Sequence, residues 1–284
     1  MDITALALDM DGTVLDDKNI ISERLVTILN KLHDKGIRIF IATGRTKKEV
    51  DDVLPEGVPI DGFVTANGMG CFTDKAPVYQ HTLPPELVKD VLELARERKL
   101  YYEIHPNDGS RFALKDDKTV FENELNAPKP NTLKDNEYFS RSNAVRKKIQ
   151  WVDTIDFENI VKVYFFSMKE DRINDWIDQL CKMKEERDFS YTSSSLHNVE
   201  IKIGNVSKAT GIQKLLEIYG LSSKNLLAVG DSENDIPMFQ LAAYSAAMKN
   251  AETYIQEKTK EVTAYTNNED GLAEYLLEKF QALL

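Results

Sequence analysis

The chain has 284 residues, of which 42% are hydrophobic, an ordinary content for a soluble protein and enough for two modest domains. Its formal charge of −11 argues against non-specific attachment to nucleic acid or to an anionic membrane. Cys71 and Cys181 have no metal-like spacing, residues 1–20 carry no basic-then-apolar leader, and no stretch approaches membrane-spanning length, so a cytoplasmic protein with reduced thiols is expected.

The first elements alternate. Ile3–Leu8 reads as a buried strand, followed by a helix near Ser22–Lys35 with Leu25, Ile28, Leu29 and Leu32 at helical spacing. Ser22 suits its N-cap and Gly36 its stop. A strand at Ile37–Ala42, a short helix from Thr46 and a strand at Gly62–Thr65 continue a rhythm that calls for a parallel sheet with crossover helices. The middle reads differently. A helix opens at Pro84-Pro85, and Leu100–His105 and Arg111–Leu114 form a hairpin about Pro106-Asn107-Asp108-Gly109. Residues 126–143 are polar and proline-bearing and read as loop. Val161–Phe166, Asp171–Met183 and Phe189–Thr192 read as strand, helix and strand. From Lys208 the alternation resumes with helix Lys208–Tyr219, strand Leu226–Val229, helix Asp235–Leu241 and strand Tyr244–Ala247. The expected architecture is α/β: a Rossmann-like parallel-sheet core formed by residues 1–82 and 196–284, with an α+β domain, residues 83–195, inserted into it.

Chemistry-bearing residues gather at strand ends and helix starts. Asp9 and Asp11 follow the first strand with i, i+2 spacing, which on an extended chain turns both to one side, and Gly12 permits a sharp turn. Two carboxylates so placed need a cation, a shared proton or strong donors, and Mg²⁺ is the simplest cation that fits. Solvated turn acids are the competing reading. Thr43-Gly44-Arg45 ends the second strand, Lys208 opens a helix against the dipole, and Gly230-Asp231-Ser232-Glu233-Asn234-Asp235 follows another apolar run. In an open parallel sheet Asp9, Thr43 and Asp231 lie at the carboxyl ends of strands, where the functional crevice forms.

Taken in order, Asp-x-Asp-Gly-Thr, a strand-end Thr, a helix-start Lys and Gly-Asp-x-x-Asn-Asp resemble the four motifs of the haloacid dehalogenase superfamily. The long insert, Ala247-Met248-Lys249-Asn250-Ala251 and Asn268-Glu269-Asp270-Gly271 are similar to its Cof-type branch. The resemblance implies a Mg²⁺-dependent phosphatase of a small phosphorylated metabolite, such as a sugar phosphate, as a monomer or small homo-oligomer. It also implies the roles. Asp9 would be the nucleophile that forms an aspartyl-phosphate and Asp11 the acid and base. Thr43 and Lys208 would stabilise the transferring group. Met10, Thr43, Gly44, Lys208 and Asn234 would surround phosphate. Asp9, Asp11 through its main chain, and Asp231 would bind the metal, and Asp235 would support its shell. Residues 83–195 would be a cap that selects the leaving group. Two departures from the family pattern stand out: Ser232-Glu233 within the last motif and Ala209 after Lys208. Arg45, Asn67 and Glu233 have no assigned role. On Tyr101, Glu103, His105 and Arg111, a solvated sheet face competes with leaving-group contacts. A phosphomutase or phosphotransferase is the enzymatic alternative, and a binding protein that keeps the fold without turnover is the other.

Overall fold

The computed structural model describes residues 2–284, which divide into two compact units, one formed by residues up to 80 and from 206 onward, the other by 81–205.

The first unit is built on an eight-stranded sheet. Its first strand, Ala5–Leu8, lies in the middle, parallel to Arg38–Ala42 on one side and to Leu226–Gly230 on the other. Gly62–Thr65 extends one side in parallel, and Tyr244–Ala247 and Glu261–Val262 extend the other. Gly70–Thr73 and Pro77–Gln80 finish one edge antiparallel. Strands covered on both faces are apolar throughout, and Ala5–Leu8 is fully buried accordingly. Helices Glu23–Asp34 and Gly271–Lys279 cover one face, joining Leu25, Leu29, Leu272 and Leu276 to Leu6, Leu8 and Ile39. Helix Lys208–Tyr219 covers the other, setting Ile212 and Leu215 against Ala5, Ala7 and Phe40. Each such fully buried leucine contributes roughly 1.5–3 kcal/mol by burial. Because the first strand is central and its neighbours lie on opposite sides, the chain forms a topological switch point at its carboxyl end.

The second unit holds a six-stranded sheet in the order Ser190–Thr192, Asn198–Lys202, Ile160–Phe166, Tyr101–Pro106, Phe112–Leu114, Gln150–Val152. All pairs are antiparallel except the last. One boundary and one segment differ from those expected. The serine-rich run 193–195 is a loop within a hairpin rather than a linker: Ser194 donates from its N–H to Asn198 Oδ1 (3.0 Å), and Ser195 Oγ accepts from the His197 N–H (3.1 Å). The unit therefore extends through Asn198–Lys202 to residue 205. Residues 126–143 are not all loop, since Asp135–Asn143 is a helix. Its acidic first turn suits a helix N-terminus, but its buried residue is Arg141, so no apolar stripe reveals it.

Nor is the face carrying Tyr101, Glu103 and His105 solvated. Their exposures are 0%, 0% and 3%. Glu103 accepts from Arg111 Nη1 (2.7 Å), Arg141 Nη1 (2.5 Å) and Tyr101 Oη (2.5 Å), and His105 Nε2 lies 3.3 Å from its carboxylate. Burial opposes this charge, but Arg141 and Arg111 outweigh it and hold the Glu103 carboxyl well below the usual range. Among the described residues, no helix is long and apolar enough to cross a membrane.

Candidate active site

Asp9 leaves the central strand with its N–H bonded to the Val229 carbonyl (2.9 Å), so its side chain emerges at the switch point, nine-tenths buried. Lys208 reaches it from the first turn of its helix. That helix starts there because Ser207 caps it, Ser207 Oγ accepting from the Thr210 N–H (3.3 Å) and Thr210 Oγ1 from the Ser207 N–H (3.0 Å). Lys208 is 1% exposed, with Nζ at 2.5 Å from Asp9 Oδ1 and 2.6 Å from Asp235 Oδ1. Burial would strip its proton, but Asp235 and Asp9 outweigh burial and raise its pKa, so it stays an ammonium. Asp235 is engaged at both oxygens. Its Oδ2 accepts from the Asp231 N–H (2.9 Å) and the Ser232 N–H (3.0 Å), capping the next turn, while Oδ1 holds Lys208.

Asp231 completes a cluster in which oxygens of Asp9, Asp231 and Asp235 lie within 4.8 Å of one another. One ammonium does not balance three carboxylates. Burial pushes the Asp9 carboxyl well above the usual range; Lys208 opposes this, and Asp235, Asp231 and Asp11 add to it. A hard divalent cation with oxygen ligands answers that imbalance. With both oxygens of Asp235 engaged, Asp9 and Asp231 are the side chains suited to hold it. Space for Asp231 is provided by Gly12, at φ +78°, where a Cβ would stand 2.5 Å from Asp231 Oδ2.

Asp11 departs from expectation. Its carboxylate takes three bonds from Arg45, Nε to Oδ2 (2.8 Å) and to Oδ1 (3.1 Å) and Nη2 to Oδ1 (2.5 Å). The strand ends at Leu8, and the chain is already turning at Asp11, which bridges to Leu15, so strand alternation does not carry that far. Arg45 also bonds Asn19. Thr43 is buried at the end of its strand, and its Oγ1 accepts from the Arg45 N–H (3.1 Å). Gly44 lies between them. The Met10 side chain is fully buried in the apolar core, so only its main chain can face a ligand. Asn234 donates to Asn67 Oδ1 (3.1 Å), which brings Asn67 to the site from the turn after Gly62–Thr65. Asn67 has φ +55° and Gly68 follows at φ +102°, where a Cβ would meet the Ser207 carbonyl at 2.3 Å. The Asn-Gly dipeptide after a strand was the signal for this approach. Glu233 is exposed in the first turn of a short 3₁₀ helix, the place of an ordinary helix-start acid.

The model of haloacid dehalogenase-like hydrolases matches residues 6–276. A 5-amino-6-(5-phospho-D-ribitylamino)uracil phosphatase of Bacillus subtilis is 28% identical, the match covering 95% of this chain and 96% of that one. A phosphatase of the same name from Escherichia coli is 27% identical, the match covering 97% of this chain and 96% of that one. The solved structure of a haloacid dehalogenase-like hydrolase from B. subtilis shares the fold, with a TM-score of 0.80 at 22% identity over 96% of this chain and 99% of that one. The ordered motifs meet at one switch point, and the family match runs through both units, so the chain belongs to the haloacid dehalogenase-like hydrolases.

Proposed function

We propose that the protein is a Mg²⁺-dependent phosphatase of a small phosphorylated metabolite that works through a phosphorylated Asp9. The observation that carries this reading is the buried Lys208, clamped between Asp9 and Asp235 with Asp231 alongside. Lys208 opposes the burial that raises the Asp9 pKa. The negative charge left over by Asp235 and Asp231 is what a divalent cation would offset, favouring an anionic Asp9.

The Asp9 carboxylate attacks phosphorus, and the bond to the leaving oxygen breaks as Asp11 gives that oxygen a proton. Asp11, now a carboxylate, takes a proton from water, which attacks the acyl phosphate and releases inorganic phosphate and free Asp9. To act as the acid, Asp11 must first leave Arg45 and take up a proton from solvent. Thr43 Oγ1 already accepts from the backbone, so its own hydrogen is available to a phosphoryl oxygen. Lys208, the Gly44 N–H and Asn234 supply further donors to the developing charge. Asp9, Asp231 and the Asp11 main-chain oxygen would hold Mg²⁺, whose positive charge would offset the carboxylates and the phosphate. The motifs all lie in the first unit, so we assign choice of the leaving group to the second, the inserted cap. The buried Glu103 cluster is occupied in holding that unit together, which leaves its less buried residues for selection.

The test is phosphate release across a panel of phosphorylated metabolites with Mg²⁺, beginning with phosphorylated ribitylamino-pyrimidines, the substrate class named for the relatives, then sugar phosphates, pyridoxal phosphate and flavin mononucleotide. Turnover of one or a few compounds with free phosphate as product supports the reading. An isomerised substrate without phosphate release, or no turnover of any compound, contradicts it.

A further inference from the structure

Asn250 follows the strand Tyr244–Ala247 in a loop fixed by the Met248 N–H to the Gly230 carbonyl (2.9 Å) and the Lys249 N–H to Thr263 Oγ1 (2.9 Å). Its side-chain amide has a donor end and an acceptor end, and the surroundings decide which way it faces. Oδ1 accepts from the Asn267 N–H (3.0 Å). Nδ2 must then point the other way, where it donates to the Gly12 carbonyl (2.9 Å) and lies 3.5 Å from Asp231 Oδ2. The Asp231 carboxylate thus has the Asn250 amide on one side and, on another, the bare Cα face of Gly12, where a Cβ would stand 2.5 Å away.

Two further asparagines extend the hold. Asn267 Nδ2 donates to the Leu15 carbonyl (3.1 Å) and to Asp17 Oδ1 (3.2 Å). Asn268 Nδ2 donates to Asp17 Oδ2 (2.9 Å), and Asn268 Oδ1 accepts from the Asp17 N–H (3.0 Å). Together they tie the segment after the central strand, from Gly12 to Asp17, to the tail of the chain. An amide suits this place because it is neutral. A lysine there would pair with Asp231 and repel a divalent cation, and a carboxylate would add repulsion to an already acidic cluster.

We infer that Asn250 is a positioning residue for the metal site: it orients the Asp231 carboxylate and the Gly12 turn toward the cation, with Asn267 setting the direction of its amide. This rests on the metal-dependent reading given above. Groups that orient a metal ligand through a hydrogen bond typically change metal affinity by about 10–100-fold when removed.

The experiment follows the melting temperature of the full chain as Mg²⁺ is raised, without substrate, for wild type, Asn250→Ala and Asn250→Gln. The baseline in chelator reports on the fold, and the Mg²⁺ concentration at half of the rise reports on the site. Asn250→Ala should shift that concentration upward about tenfold or more. Asn250→Gln keeps the amide but displaces it, so it should shift the same way, and it decides the matter if Asn250→Ala does not fold. Turnover should recover partly at saturating Mg²⁺. A folded variant whose half-rise lies within about twofold of wild type overturns the inference while leaving the metal site intact. A wild-type chain whose melting temperature ignores Mg²⁺ overturns the metal site itself, and this inference with it.

Discussion

Gly12→Ala separates the needs of the site from those of the fold. Gly12 has φ +78°, a conformation that costs an L-residue roughly 1–2 kcal/mol. The added methyl would stand 2.5 Å from Asp231 Oδ2 and 2.8 Å from Cγ, whereas ordinary contact begins at 3.4 Å. The Asp231 carboxylate would have to retreat by about 0.9 Å, and a misplacement of about 1 Å at a reacting centre costs on the order of 10²-fold in rate. The variant should therefore melt only slightly lower in chelator, by the equivalent of roughly 1–2 kcal/mol. It should release phosphate about a hundredfold more slowly at wild-type Mg²⁺ and need more Mg²⁺ to reach its maximum. Steady-state phosphate release over a Mg²⁺ series measures both effects. A rate within about threefold of wild type would show that Asp231 tolerates displacement and that the metal geometry does not depend on this close approach.

Three other outcomes follow from the same geometry. Chelation should stop turnover and Mg²⁺ should restore it, while Asp231→Ala should lose the Mg²⁺-dependent rise in melting temperature; an unchanged rise removes Asp231 from the ligand set. In the second unit, Glu103→Gln leaves Arg111 and Arg141 without their shared anion, so unfolding followed by the fluorescence of Trp151 and Trp176 should show a loss of about 3–5 kcal/mol. Because the folded protein holds the Glu103 carboxyl well below its ordinary value of 4.5, its stabilising contribution is present above about pH 4.5 and is lost as pH falls through the folded pKa. Wild type should accordingly lose stability more steeply than Glu103→Gln as pH drops below 4.5, and parallel acid transitions would contradict the account.

What was legible in the sequence was local. Apolar runs that end in Asp9, Thr43 and Asp231 mark strand ends, and a parallel sheet brings such ends together whatever their separation, so Asp9 and Lys208 meet although 199 positions apart. Where the reading relied on continuing a local pattern past its end, the structure differs. Asp11 lies beyond the strand and turns to Arg45, a pairing that no spacing encodes. Polar residues in the second unit were the harder case. Alternation along Tyr101–His105 identified one face correctly, but whether that face meets water or a buried pair of arginines depends on Arg141, which arrives from a helix with no apolar stripe. The serine run 193–195 resembles a linker because the same residues that favour flexible chain also favour tight hairpin loops. Asn250 lies in a motif of the tail, yet its bond to Gly12 spans 238 positions and only coordinates reveal it.

The central claim is that Asp9 carries the phosphoryl group between substrate and water. The most direct measurement is acid quenching of the protein during turnover of its best substrate with Mg²⁺, followed by mass spectrometry of the peptide that contains Asp9. The account predicts a fraction of that peptide heavier by one phosphoryl group, with the modification on Asp9. It predicts no such species and no turnover for Asp9→Asn, which keeps the side chain's size and removes its charge. Phosphate release by Asp9→Asn at the wild-type rate, or a phosphoryl group on any other residue, would contradict it.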